Sequence, residues 1–240
     1  MTDLTTDRHP APGWSLDEVA SAGRENLDAD HVARYDDKED ADADSELALL
    51  QELGLDHRSE VVDLGAGTGQ FTVAAGAACA RVVAVDVSPV MLRRLRAKLD
   101  GLRLSNVEVV QAGFLTYEHR GRPADFVYSR YALHHLPDVW KAMALANIRR
   151  MLAPGGVFRL SDVVYDFEPA QAADRIEAWC AAGGNVEGDW SRAEFEEHVR
   201  DEHSTFRWLL EPMIERCGFV IEDVSYSPDG FFGAYIARAR

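Results

Sequence analysis

The sequence has few cysteines and few basic residues. Its three cysteines, Cys79, Cys180 and Cys217, are widely spaced and form no CxxC pair, so neither a disulfide framework nor a cysteine metal site is expected. The 25 basic residues stand against 41 acidic ones, which gives a formal net charge of -16. Such a charge repels phosphate backbones and anionic membrane surfaces. The composition therefore argues against nucleic-acid and membrane partners.

Long apolar runs are scarce as well. No window approaches the roughly 20 apolar residues that a membrane-spanning helix needs. The stretch "MTDLTTDRHPAPGW" has no basic start followed by an apolar run, so it does not resemble a signal peptide. With the unpaired cysteines, these features predict a cytoplasmic protein. A chain of 240 residues suits one large domain with embellishments.

The chain divides into regions that differ in composition and in secondary-structure signals. Residues 1–44 are acidic and Ala-rich, and we expect them to form a helical or lid segment; Ser15 and Glu18 have the spacing of a capping box. Residues 45–240 form the main domain. Within it, residues 164–204 carry no strand signal and interrupt an otherwise regular pattern. We expect that insertion to be a helical cover, with Trp179 and Trp190 either lining a pocket or filling a small helical core.

Strand-like and helix-like segments alternate over residues 45–163. "EVVDL" and "RVVAVDV" are short β-branched runs typical of buried parallel strands, and "NVEVVQA", "ADFVYSR" and "GVFRLSDVV" continue the series. Ser88 and Pro89 predict the start of a helix, and "APGG" predicts the end of a later one. At the end of the chain, "FVIEDVSY" and "FFGAYIARA" are joined by a short turn, which makes them antiparallel. The pattern predicts an α/β fold with a mostly parallel sheet and a terminal hairpin.

A glycine-rich turn follows the first of these strands. In "VVDLGAGTGQF", Gly65, Gly67 and Gly69 alternate, and a dinucleotide fingerprint would need its third glycine where Gln70 stands. Asp63 places a carboxylate beside the turn, which disfavours a diphosphate and favours an ammonium group. Asp86 ends the second strand, where an acidic residue can hold both hydroxyls of a ribose. The pattern suits a nucleoside with an amino-acid-like end.

Four motifs together resemble the class I S-adenosylmethionine-dependent methyltransferases: "VVDLGAGTG", "VVAVDVSPVML", "ADFVYSRYALHHLPD" and "LAPGGVFRLSDV". The resemblance implies a Rossmann-like seven-stranded sheet of order 3-2-1-4-5-7-6 with strand 7 antiparallel. It also implies S-adenosyl-L-methionine as cofactor. The positions that the resemblance assigns to the cofactor are Asp63, Gly65, Ala66, Gly67 and Gly69 for the methionine part, Asp86 for the ribose, Val87, Gly113 and Phe114 for the adenine, and Ser129 for the sulfonium.

The sequence departs from this family at the adenine edge. Many relatives carry an acidic residue where this chain has Phe114, and that residue accepts a hydrogen bond from the adenine amino group. Phe114 cannot accept such a bond, although its ring can stack on the base. Tyr35 is a further candidate, because relatives often have a tyrosine before the first strand that folds over the cofactor; the alternative is a packing tyrosine.

The motifs also limit the methyl acceptor. The fourth strand ends in "SRYALHHL", which is not the Asn/Asp-Pro-Pro-Tyr loop of enzymes that methylate exocyclic amines of DNA bases, and no Pro-Cys dipeptide is present. We therefore expect a small organic acceptor, with O, N or C as the acceptor atom. We interpret Glu194, His198 and Glu202, at helical spacing, as a solvated helix face and predict no metal site. The candidate bases are His134, His135, Asp162 and His203.

Two other functions fit part of the pattern. A nicotinamide-dependent dehydrogenase has a similar sheet, and a cofactor-binding protein without transferase activity would retain the same loop. The sequence favours methyl transfer over both of these functions. We expect the protein to be a monomer or a homodimer.

Overall fold

The computed structural model describes residues 12–23, 26–29, 32, 41–184 and 190–240. Within these residues one sheet is assembled from β1 (Glu60–Leu64), β2 (Arg81–Asp86), β3 (Val107–Gln111), β4 (Ala124–Arg130), β5 (Leu152–Tyr165), β6 (Thr205–Phe206), β7 (Phe219–Tyr226) and β8 (Phe232–Ala239). The helices are α1 (Ala43–Glu52), α2 (Gln70–Ala78), α3 (Pro89–Leu102), α4 (Asp138–Met151), α5 (Ala172–Ala182), α6 (Arg192–Asp201) and α7 (Arg207–Arg216). Short 3₁₀ turns cover Leu133–His135 and Pro169–Gln171.

The strand order is β3-β2-β1-β4-β5-β8-β7, and the two-residue β6 pairs with β5. Strands β1 to β5 are mutually parallel, whereas β8 runs antiparallel to both β5 and β7. Because the extra strand β6 shifts the numbering, β7 and β8 are the sixth and seventh strands of the predicted order 3-2-1-4-5-7-6. The predicted topology and the terminal hairpin are therefore confirmed. The short β6 is an addition that the sequence did not indicate.

The core lies on both faces of the parallel strands. All five residues of β1 are buried, as expected for a strand covered by helices on each side. The predicted start of α3 is confirmed, since the Ser88 side chain accepts a hydrogen bond from Met91 N and Pro89 occupies the first turn. The same helix buries the apolar face that its spacing predicts, which holds it against the sheet beside the glycine loop.

One local prediction is wrong and one is confirmed. Residues 12–23 contain turns, and Asp17 accepts hydrogen bonds from Val19 N and Ala20 N at 3.1 Å each. Glu18 does not complete a capping box with Ser15, because its carboxylate accepts hydrogen bonds from a distant part of the chain, described below. The predicted end of the later helix is confirmed, because α4 ends at Met151, just before "APGG"; that stretch lies in the irregular first part of β5, where the register with β4 shifts.

Candidate active site

The glycine loop between β1 and α2 has a backbone that few other residues could adopt. Gly65, Gly67 and Gly69 all have positive φ, of 75°, 55° and 83°. A Cβ on Gly65 would collide with Ala132, and one on Gly69 would collide with Leu95. A Cβ on Gly67 would meet nothing within 4 Å. The outer two glycines are therefore needed for packing, and the middle one leaves open space above the loop.

Asp86 joins this loop to the end of β2. One carboxylate oxygen accepts a hydrogen bond from Gly67 N at 2.8 Å, and the other accepts one from Ser88 N at 2.7 Å. Burial raises the pKa of this carboxyl, and the bonds from the backbone at Ser88 and Gly67 act in the opposite direction. Each carboxylate oxygen keeps a further lone pair. Asp86 is thus fixed in orientation and still able to accept hydrogen bonds from a ligand.

A buried glutamate from the N-terminal segment lies at the far side of the same cleft. Glu18 accepts hydrogen bonds from Leu115 N at 3.0 Å and Thr116 Oγ1 at 2.9 Å, and only 8% of the residue is exposed. A Cβ on Gly113 would collide with the Glu18 carboxylate, so the glycine permits this close approach. Burial raises the pKa of Glu18, and the hydrogen bonds to Leu115 and Thr116 partly offset the rise.

These groups line one cleft at the carboxyl ends of the parallel strands. That is where ligands bind in open α/β sheets. The residues that line it are Glu18, Ala22, Asn26, Leu64, Gly65, Gly67, Val85, Asp86, Val87, Met91, Ala112, Gly113, Phe114, Arg130, Tyr131, Ala132, His135 and Leu136.

The chain makes a sharp turn where β4 ends at this cleft. Tyr131 has a φ of 48°, which is unusual for a residue with a side chain. Its amide donates a hydrogen bond to Ser161 O at 2.9 Å, and the Arg130 guanidinium lies 4.1 Å from the centre of its ring. Strained backbone of this kind is concentrated at functional sites. The turn carries Arg130 and Tyr131 into the cleft wall.

A cluster of histidines and carboxylates lies behind that wall. His134 contacts the Asp162 carboxylate through Nδ1, and its Nε2 lies 2.9 Å from Glu202 Oε2. Burial alone would lower the pKa of His134, but the two carboxylates raise it to about 10. Although burial would raise the pKa of Glu202, His134 and His198 hold it below its usual range. His134 is therefore protonated near neutral pH in this arrangement and is not available as a base.

His135 faces the cleft beside the cluster. Its Nε2 lies 3.3 Å from Asn26 Nδ2, and its Nδ1 is buried without a hydrogen-bond partner. Burial, followed by the charge of His134, lowers the pKa of His135 to about 3. The imidazole is neutral near pH 7, as a base requires. If His135 with this pKa acts as the base, its titration would cause no change in reaction rate near pH 7.

The other predicted site residues are dispersed. Asp63 is buried beneath the glycine loop, where its carboxylate accepts a 2.5 Å hydrogen bond from Thr72 Oγ1. Ser129 is fully buried, and its hydroxyl has no hydrogen-bond partner. Asp162 is buried and orients His134, while His203 is exposed and its amide donates to His134 O at 2.9 Å. Tyr35 lies outside the described residues.

Sequence reasoning missed several residues of the cleft. Glu18 and Asn26 come from the N-terminal segment, and no local pattern connects them with positions about a hundred residues away. The lack of an acidic residue at position 114 is the one signal that a carboxylate from elsewhere is needed. Arg130 and Tyr131 could have been found, because they follow a strand that ends at the cleft.

The cover also differs from its prediction. His198 and Glu202 do not lie on a solvated face, since their side chains are only 13% and 15% exposed and both turn toward His134. For Trp179 the structure agrees with the packing alternative, because its ring stacks on Phe231 at 4.4 Å within an aromatic cluster and does not line the cleft. Periodicity identified the helix but could not show which face has a buried partner.

A sheet of this order, with a glycine loop after β1 and an acidic residue at the end of β2, is the architecture of the class I S-adenosylmethionine-dependent methyltransferases. Residues 61–156 match the family described as "Methyltransferase domain". Residues 61–156 therefore form a methyltransferase domain, on a sheet with the class I S-adenosylmethionine-dependent arrangement.

Individual relatives agree with this assignment. The chain is 34% identical over 143 residues to a trans-aconitate 2-methyltransferase of Methylobacterium radiotolerans, covering 57% of this chain and 52% of that protein. It is 27% identical over 123 residues to the uncharacterized methyltransferase OB1106 of Oceanobacillus iheyensis, covering 51% and 55%. The chain thus spans about half the length of the curated relatives it matches.

Solved structures resemble the whole fold. The N-methyltransferase NodS from Bradyrhizobium japonicum, in complex with S-adenosyl-L-homocysteine, superposes with a TM-score of 0.64 at 19% identity, covering 93% of this chain and 99% of that one. At this identity the likeness concerns the fold alone. Among the described residues, no helix is both long enough and apolar enough to cross a membrane.

The cleft suits S-adenosylmethionine on its own features. The open space above Gly67 admits a ligand against the loop backbone, and Asp86 offers oriented carboxylate oxygens to a diol. Val87, Met91 and Phe114 supply apolar surface between Asp86 and Glu18, as a base requires. These polar groups thus fit a nucleoside without phosphates.

Proposed function

We propose that this chain transfers a methyl group from S-adenosylmethionine to a small organic acceptor. The observation that carries the proposal is one continuous cleft that joins the glycine loop and Asp86 to the wall formed by Arg130, Tyr131 and His135. We assign the end at the glycine loop and Asp86 to the nucleoside, and the wall with Arg130, Tyr131 and His135 to the acceptor. The net charge of -16 favours a small molecule over a nucleic acid as acceptor.

In this proposal Asp86 accepts hydrogen bonds from the ribose hydroxyls, and Gly67 leaves the loop backbone open to the methionine part. Val87 and Phe114 pack on the adenine faces. Asp63 acts indirectly, because its hydrogen bond with Thr72 ties β1 to α2 and so supports the loop. Ser129 likewise underlies the cleft wall, since it is buried below the turn that presents Arg130 and Tyr131.

Glu18 is proposed to take the part of the missing acidic residue at position 114. Its carboxylate lies against Gly113 and Leu115, at the edge where the base would end. It can accept a hydrogen bond from an exocyclic amine, which Phe114 cannot do. The N-terminal segment would then complete the cofactor site, and not only cover it.

When bound, the sulfonium of S-adenosylmethionine supplies an electrophilic methyl group. The chain has to align an acceptor with it, exclude water and, for a hydroxyl acceptor, accept a proton. His135 is the candidate for that last task because its neutral imidazole faces the cleft. Asp162 and Glu202 hold His134 behind it, so these side chains position the wall that contacts the acceptor.

The similar proteins include a trans-aconitate 2-methyltransferase and an N-methyltransferase, so they do not point to one common acceptor. The acceptor of this chain is therefore proposed only as a small organic molecule.

The test is a methyl-transfer screen with the full chain. The protein is incubated with S-adenosylmethionine carrying an isotopically labelled methyl group and with a library of hydroxyl, carboxylate, amine and activated-carbon acceptors. We expect a labelled product together with S-adenosylhomocysteine. Tight cofactor binding by calorimetry with no product from any acceptor class would favour a binding protein without transferase activity.

A further inference from the structure

Three possible metal ligands converge where the cover meets the end of β4. One ligand atom from each of His134, His135 and Glu202 lies within 4.8 Å of the others. His134 and His135 come from the 3₁₀ turn after β4, and Glu202 directly follows α6. Two adjacent histidines and a glutamate 67 positions further along the chain thus form one compact set of two nitrogens and one oxygen.

Two atoms of this set lack hydrogen-bond partners although they are buried. His135 Nδ1 and Glu202 Oε2 are both buried and both unpartnered. Glu202 Oε2 lies 2.9 Å from His134 Nε2 and 2.5 Å from His198 Nδ1, yet neither contact is aligned as a hydrogen bond. Buried polar atoms usually have a partner, and an unmet one often marks an absent ion or water. A divalent cation that displaces the Nε2 proton of His134 would be shared by these converging atoms.

The surroundings have the supporting contacts of a metal centre. The Asp162 carboxylate holds His134 Nδ1 and also accepts a hydrogen bond from His134 N at 3.1 Å. A carboxylate on the far ring nitrogen is the usual device that orients a metal-ligating histidine. His198 Nε2 is in turn held by Ser204 Oγ at 2.9 Å, beside the carboxylate of Glu202.

We propose that His134, His135 and Glu202 bind a divalent transition-metal ion at the cleft wall. Asp162 acts as the orienting group for His134, and His198 flanks the ion beside Glu202. Two imidazoles and one carboxylate match the preferences of zinc and of ferrous iron, and three protein ligands leave coordination positions for water or a ligand oxygen. Because His135 also lines the cleft, the ion would adjoin the space proposed for the acceptor. The site itself does not depend on methyl transfer, and a His135 that ligates the ion has no ring nitrogen left to act as the base considered above.

The experiment uses the full chain, with any affinity tag removed and bound metal stripped by a chelator. The chain is titrated with Zn²⁺ by calorimetry and with Co²⁺ by visible absorption. We expect one ion per chain and cobalt ligand-field bands that indicate nitrogen ligation. A wild-type protein that shows neither would overturn the proposal and leave the cluster as a set of ion pairs.

Matched variants locate the ion. Glu202→Gln removes the charged ligand, while Glu197→Gln changes an exposed glutamate on α6. We expect Glu202→Gln to weaken Zn²⁺ binding by at least tenfold and Glu197→Gln to leave it unchanged. Asp162→Asn should weaken it by about 10–100-fold through the orientation of His134. Equal affinities in all three variants would place the ion elsewhere and refute the assignment. If Glu202→Gln does not fold, His198→Asn is compared with His57→Asn on the exposed surface. We expect weaker Zn²⁺ binding and altered cobalt bands in His198→Asn, and no change in His57→Asn.

Discussion

Glu18 is the side chain that most directly connects the N-terminal segment with the cofactor cleft. A buried carboxylate is costly unless it is hydrogen-bonded, and Glu18 has partners at Leu115 and Thr116. Its position against Gly113 explains why that residue has to lack a side chain. These contacts make Glu18 a testable recognition residue.

Removing Glu18 should change which nucleoside the cleft prefers. We expect wild-type protein to bind S-adenosylhomocysteine more tightly than an analogue whose adenine amino group is replaced by an oxygen. In Glu18→Ala that preference should fall by about tenfold or more, because a charge-assisted hydrogen bond contributes roughly 1.5–3 kcal/mol. Calorimetry with both ligands measures the ratio, so a general loss of affinity does not mimic the effect. An unchanged ratio would show that Glu18 does not contact the base.

Asp86 gives a second prediction at this scale. Asp86→Asn keeps the shape of the side chain but loses the charge that strengthens bonds to a diol. We expect S-adenosylmethionine affinity to fall by about tenfold to 150-fold, on the same energetic grounds. Asp100→Asn, on the exposed side of α3, is the control and should bind normally. Equal calorimetric affinities for the two variants would remove Asp86 from the ribose site.

Asp63 should make stability depend on pH. Burial raises its pKa from 3.8 to about 7, so between about pH 4 and 7 the folded state holds a proton that the unfolded state has lost. The free energy of unfolding contributed by Asp63 therefore decreases as pH rises through this window. At about 1.4 kcal/mol per pKa unit, the full effect is at most roughly 4 kcal/mol.

The measurement compares urea unfolding of wild type and Asp63→Asn across that window. We expect the Asn variant to gain stability relative to wild type as pH rises from 4 to 7, because it has no proton to lose. A constant difference between the two proteins would mean that Asp63 is ionised throughout.

At the scale of elements, the parallel strands and α3 were predictable because their signals are local. Buried β-branched runs specify central strands, and Ser88 with Pro89 specifies a helix start whatever surrounds it. The inward face of α6 was not predictable, since the partner of Glu202 is His134, 68 positions earlier. The same reason explains the failed capping box at Ser15. Long-range pairing overrides a local pattern whenever it buries a charge.

The cover is held to the sheet mainly by aromatic packing. Trp179 lies 4.4 Å from both Phe231 and Phe195, and Trp208 on α7 is 53% exposed. We expect Trp179→Ala to reduce the free energy of unfolding by about 3 kcal/mol, as for other large-to-small changes in a core. Trp208→Ala should reduce it far less. Chemical denaturation monitored by circular dichroism measures both, and comparable losses would contradict a packing role for Trp179.

At the scale of the whole molecule, the proposed cofactor cleft draws on separate segments between residues 18 and 136. Glu18 precedes the first strand, the glycine loop and Asp86 follow β1 and β2, and His135 follows β4. A ligand that contacts all of them should stabilise the folded state as a unit. S-adenosylhomocysteine at 100 times its dissociation constant should add about 2.7 kcal/mol. For a chain of this size that corresponds to a rise of about 5–11 °C in the unfolding midpoint.

The same thermal scan separates this fold from a dinucleotide-binding one. NAD carries a diphosphate that the loop of this chain, with Gln70 in place of the third glycine and Asp63 beneath it, is not built to hold. We therefore expect no shift with NAD at the same concentration, and a reduced shift with S-adenosylhomocysteine in Asp86→Asn. A larger rise in the unfolding midpoint with NAD than with S-adenosylhomocysteine would assign the cleft to a nicotinamide cofactor. Equal rises with S-adenosylhomocysteine in wild type and Asp86→Asn would mean that this ligand binds outside the cleft.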